Sequence, residues 1–281
     1  SDTLNMVIHH LEGILDLKLL DSILASVEKP ARYMGGELNM TQKCDAELRF
    51  ALAFPDVYEI GMSHLGSRIL YHVLNAREDT ICERVFAPWP DMERALRENQ
   101  IPLFTLETKR SLGTCDIIGF SLLYEMCYTN ILTMLDLSGI PLRAKERGDA
   151  FPLIVCGGPC ACNPEPLAPF VDAFLIGDGE ELIGECVDAV LAAKRGGMDK
   201  PALLRALAQI PGIYVPSFYA PKYDAEGHFL ELDRVEPNAP QRITRRVLKD
   251  LEHAPYIGNP IVPYMPIVHD RIALELFRGC T

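Results

Sequence analysis

The feature that most limits how this chain can fold is a series of short segments that are nearly all apolar, alternating with amphipathic ones. Arg49–Phe54, Ile81–Phe86, Asp116–Ser121, Leu153–Cys156 and Ala173–Ile176 have strand length and little polar alternation. Strands that hide both faces belong to parallel sheets covered by helices. The segments between them have helical spacing. His64–Asn75 places Leu65, Ile69, Leu70, Val73 and Leu74 on one face. Pro90 suits the first turn of a helix through Asn99, because proline has no amide to lose there. Cys127–Leu137 and Glu180–Arg195 read as further helices. This alternation predicts an α/β fold with a doubly wound sheet.

Five such units fit most simply in the strand order 2-1-3-4-5, the flavodoxin-like (Rossmann-like) arrangement. Phe50, Leu52, Ile118, Ile154, Val155, Phe174 and Ile176 are the expected core. The α/β domain is placed at residues 46–197. Residues 1–45 read as an N-terminal helical extension and loop. Leu4, Val7, Ile8, Leu11, Ile14 and Leu15 mark one or two helices through Val27, with Asp21 as the N-cap of the second. Lys29–Asn39 carries Pro30, Gly35 and Gly36 and reads as a connecting loop. Residues 198–281 change character. Pro201–Ala208 is a short helix, and Gly212–Tyr219 pairs with Phe229–Leu232 as a hairpin around Asp224–Gly227. Pro237–Pro266 is a proline-rich linker that wraps a surface, and Arg271–Phe277 is a final strand.

The formal net charge of −12 argues against a basic nucleic-acid-binding face. Arg242, Arg245, Arg246 and Lys249 read as a solvated linker. No run of 18 apolar residues suggests a membrane span. The start lacks the pattern of a signal peptide and an initiator Met, which suggests a chain processed, tagged or excised from something longer. Nine irregularly spaced cysteines fit reduced thiols, hence a cytoplasmic location.

Ligands of open parallel sheets bind beyond the carboxyl ends of the strands. Those ends hold Gly61 and Gly66 after strand one, Gly157 and Gly158 after strand four, and Gly177 and Gly179 after strand five. Missing β-carbons let a ligand approach the backbone. Ser121, at the end of strand three, adds a hydroxyl.

Asp116–Ser121 resembles the third-strand signature of cobalamin-binding domains fused to radical S-adenosylmethionine (SAM) barrels, and Leu153–Pro159 resembles their fourth. Asp172–Glu181 resembles the fifth-strand element D-x-x-x-x-G-E-G-E, with Asp178 in place of Glu. Pro55–Gly66 with Arg84–Met92 is similar to one subgroup of such proteins. The resemblance implies that Ser121, Gly157 and Gly158 line the slot for the nucleotide tail of cobalamin. It implies that the loop holding Gly61 and Ser63 approaches the corrin, and that Gly177 and Gly179 border the base of the slot. The cobalt-ligating motif D-x-H-x-x-G is absent, since Val57 and Tyr58 follow Asp56. His64 has the wrong spacing and reads as a helix cap.

Phe277–Thr281 resembles the opening of the cluster motif C-x-x-x-C-x-x-C on the loop after the first barrel strand, with Cys280 as its first cysteine, which implies that the final strand opens a truncated radical SAM barrel. Three thiolates hold a 4Fe–4S cluster and leave one iron for SAM. The resemblance thus implies a cluster and SAM only in a longer protein. The barrel of that protein is the partner, and the reaction is methyl transfer or related radical chemistry. Taken alone, this chain is expected to be inactive.

Other groupings have simpler readings. Cys156, Cys160 and Cys162, with Cys127 in reach, could gather a soft metal, but they read better as small buried hydrophobes. Glu165, Glu180 and Glu181 could serve acid–base chemistry, although Glu180 and Glu181 suit a helix start. Tyr58, Tyr124 and Trp89 read as core or rim. A rival function is a docking module whose slot is filled by Tyr58, Met62, Tyr124 and Met126.

Overall fold

A computed structural model describes residues 15–278 apart from residues 16 and 44. In chain order the helices are α1 (Leu17–Leu24), α2 (Ala31–Met34), α3 (Tyr58–Gly61), α4 (Leu65–Ala76), α5 (Pro90–Glu98), α6 (Tyr128–Leu137), α7 (Gly179–Gly196) and α8 (Lys200–Leu207). The strands are β1 (Leu48–Phe54), β2 (Thr80–Phe86), β3 (Ile117–Ser121), β4 (Leu153–Gly157), β5 (Ala173–Leu175), β6 (Ile213–Tyr214), β7 (Tyr219–Tyr223) and β8 (Phe229–Arg234).

The central sheet has the order β2-β1-β3-β4-β5-β6, and its first five members are parallel. The expected flavodoxin-like α/β fold is therefore present, extended by one antiparallel edge strand. Alternation along each strand splits the core into two layers. Leu48, Phe50, Leu52, Ile117, Val155 and Leu175 pack with α4 and α7, while Ala51, Ala53, Ile118, Ile154 and Phe174 pack with α1, α5 and α6. Ile176 is only half-buried because it lies just past β5, where its N–H bonds to the Gly212 carbonyl.

Four expectations need correction. Gly212–Tyr219 is not one strand. Pro216 opens a 3-10 turn, so Ile213–Tyr214 joins the sheet and Tyr219–Tyr223 forms the hairpin with β8. Asp21 lies inside α1 rather than capping a helix. Lys29–Asn39 contains α2 and buries Arg32 and Glu37. Residues 271–277 form no strand, and Ile272, Leu274 and Leu276 stand exposed without a ladder partner among the described residues. The linker after β8 does wrap the surface. It bridges Leu38 through Val262 and Gly177 through Arg246. Among the described residues, no helix is long and apolar enough to cross a membrane.

Candidate functional site

Where the parallel strands end, residues of α4, α7 and the sheet line a slot of about 350 Å³, a size suited to a small ligand. Its floor is made by residues of β3 and β4. A Cβ on Gly119 would come within 2.6 Å of Phe50 Cζ, so glycine there lets the Phe50 ring cross β3. Gly157 differs, because a Cβ there would meet Leu175 O at 3.5 Å, an ordinary contact. Gly158 has φ +103°, and its Cβ would sit 2.7 Å from the Leu122 carbonyl oxygen. Its glycine is required by the backbone turn.

Ser121 ends a hydrogen-bonded chain that begins at His64. The His64 Nδ1 accepts the Ser67 backbone N–H at 3.1 Å and lies 2.8 Å from Ser67 Oγ. Ser67 Oγ is 3.2 Å from Ser121 Oγ. Burial lowers the His64 pKa, so the ring is neutral near pH 7. With Nδ1 accepting, the ring proton sits on Nε2. Ser67 then donates to His64, and Ser121 donates to Ser67. The Ser121 oxygen is left to face the slot as an acceptor. The His64 ring has no free lone pair to offer a metal, in line with its expected role as a cap.

At the rim, Gly177 has φ +113°, and its missing Cβ makes room for the Arg246 backbone. Arg246 N–H donates to Ile176 O at 2.8 Å, and Arg246 O accepts from Asp178 N–H at 3.0 Å. Gly177 is thus explained by the linker. A Cβ on Gly179 would come within 3.1 Å of Leu70 Cδ2, where α7 approaches α4. The buried Glu180 carboxylate holds Arg278, which also binds Glu275 at 2.7 Å.

Ser121, Gly157, Gly158, Gly177 and Gly179 therefore meet around one slot, whereas Gly61 and Ser63 do not line it. A Cβ on Gly61 would run into the Phe86 ring. Ser63 donates to Glu59 O and accepts from His269 N–H. Cys280 lies outside the described residues. Cys156 is buried and Cys162 exposed, and among the described residues no group of three His, Cys, Asp or Glu could hold a metal. Glu165 accepts from Tyr214 OH at 2.5 Å, away from the slot. Tyr58 and Met62 are core residues, Tyr124 bonds Asp56 at 2.5 Å, and Met126 is exposed; none of the four lines the slot.

A buried ionic cluster centred on β2 was not foreseen. Arg84, on β2, binds Glu37 at 2.8 Å and Glu107 at 2.6 Å, and Tyr58 OH donates to Glu37 at 2.9 Å. The available signal was a pair of charges, Glu83 and Arg84, inside a strand otherwise read as buried.

No curated protein matches the chain. Residues 66–216, which run from α4 through β6 and include most of the slot, match the family model for the N-terminal region of radical SAM proteins. That span is more than half of the 281 residues, and the chain belongs to the radical SAM N-terminal family.

Proposed function

We propose that the chain holds cobalamin by its nucleotide tail and presents it to a radical SAM catalytic domain, for methyl transfer or a related radical reaction. The observation that carries this reading is the slot at the carboxyl edge, glycine-lined and about 350 Å³ in volume. Gly157 leaves the floor open, and Ser121 offers an acceptor to a ligand hydroxyl or amide. Cobalamin, when bound, supplies a cobalt centre able to carry a methyl group. The residues of this chain bind and orient it and provide no cobalt ligand from His64. The unit that does this is the α/β domain at 46–197. Tyr58, Met62, Tyr124 and Met126, the bulky residues on which the rival docking-module reading drew, do not line the slot.

Equilibrium dialysis of the 281-residue chain against hydroxocobalamin, with tail-less cobinamide in parallel, tests the reading. Cobalamin is expected to be retained and cobinamide not. Gly157→Leu is expected to abolish retention while circular dichroism stays unchanged. Equal behaviour of the two corrinoids would refute a tail slot.

A further inference from the structure

Helix α4 has cavities on more than one side. Beyond the slot, a space of about 300 Å³ opens toward β1 and β2. Another of about 640 Å³ lies beneath the linker residues that follow Leu251. Arg68, in the first turn of α4, lines both.

Among the described residues, the buried arginines are matched by acids. Arg32 binds Glu59 at 2.8 Å, Arg84 binds Glu37 and Glu107, and Arg147 binds Asp172 at 3.2 Å. Arg68 has no ion pair among the described residues, and its Nε is closed to solvent without an acceptor. Two carboxylates share the larger cavity. Glu275 is committed to Arg278, and Asp270 does not pair with Arg68. Leaving a half-buried guanidinium unmatched lowers stability, and in a chain of net charge −12 acids are plentiful. His72, one turn further along α4, and the Asn259 amide line the smaller cavity with Arg68 and add donors.

We propose that Arg68 and these cavities form an oxyanion site that takes the carboxylate or phosphate of a small ligand. The guanidinium fork matches either group. Arg68 does not line the glycine-lined slot, although the cavities adjoin it at Leu52, Leu65, Ile69 and Glu275, and the inference does not rest on the cobalamin reading.

The test uses the 281-residue chain and 31P NMR titration with inorganic phosphate at constant ionic strength. Saturable binding is expected, with at least a tenfold loss of affinity in Arg68→Gln. Displacement by acetate identifies a site open to carboxylates, and its absence one selective for phosphate. A second measurement separates a ligand site from a structural role. Without ligand, Arg68→Met is expected to raise the urea midpoint, because it removes an unmatched half-buried cation. The proposal is overturned if folded wild type binds neither anion saturably, if Arg68→Gln binds as wild type does, or if Arg68→Met lowers the midpoint.

Discussion

Replacing Arg84 with Met tests the buried cluster most sharply. The side chains of Arg84, Glu37 and Glu107 are 6%, 2% and 1% exposed, so water cannot substitute for a lost partner. Removing the guanidinium leaves two buried carboxylates uncompensated. Breaking one buried pair costs about 3–5 kcal/mol, a large part of the ~5–15 kcal/mol that stabilises a typical domain. The loss should depend on pH. Burial opposes charge on Glu37, yet Arg84's hydrogen bonds and charge outweigh it and hold that carboxyl below its ordinary range. Burial pushes Glu107 upward even with Arg84 present. In wild type, the depressed Glu37 contributes stability at neutral pH that is lost as pH falls through its folded pKa. In Arg84→Met both carboxyls are raised, and their contribution is lost as pH rises through the folded values. The gap between wild type and variant should therefore widen as pH rises from the unfolded carboxyl range toward neutrality. Urea denaturation at several pH values measures it. Glu37→Gln, which leaves Arg84 paired one-to-one with Glu107, should cost less than Arg84→Met. A pH-independent gap, or one below about 1 kcal/mol, would show that the cluster is not a closed ionic network.

Ile118→Ala removes fully buried methyl groups from the central strand β3 and should cost about 2–5 kcal/mol by chemical denaturation. Gly157→Ala should cost under about 1 kcal/mol, whereas Gly158→Ala should cost clearly more, since it meets both a positive φ and the Leu122 carbonyl; the reverse order would mean the slot floor is misassigned. His64→Ala removes the cap on α4 and should cost about 1 kcal/mol. Because burial lowers the His64 pKa, its neutral-form stabilisation is present above the unfolded pKa and lost as pH falls through the folded one. NMR titration should place its midpoint below that of an exposed histidine.

The sheet was readable because its strands are buried on both faces, so Phe50, Ile118 and Phe174 announce a core without any knowledge of their neighbours. β6 was misread because two residues carry no period, and its pairing with β5 is decided by packing and by the turn at Pro216. The slot was located by its glycines, but a sequence does not reveal what a missing side chain makes room for. Gly119 accommodates Phe50, Gly177 the Arg246 backbone and Gly158 a carbonyl, while a Cβ on Gly157 would make only ordinary contact with Leu175. The Arg84 cluster stayed hidden because Glu37 and Glu107 come from loops with no recognisable periodicity.

The chain that leaves the sheet after β6 returns to the slot twice, through Arg246 at Gly177 and through Arg278 at Glu180. A domain joined beyond Arg278 would start at the slot mouth and would meet the slot as an intramolecular neighbour. Its effective concentration there would be set by the length of chain between Arg278 and that domain rather than by the length of the whole linker. Weakening the contact surfaces of such a domain would then change its orientation more than its occupancy, and cutting the chain after Arg278 would change its occupancy most.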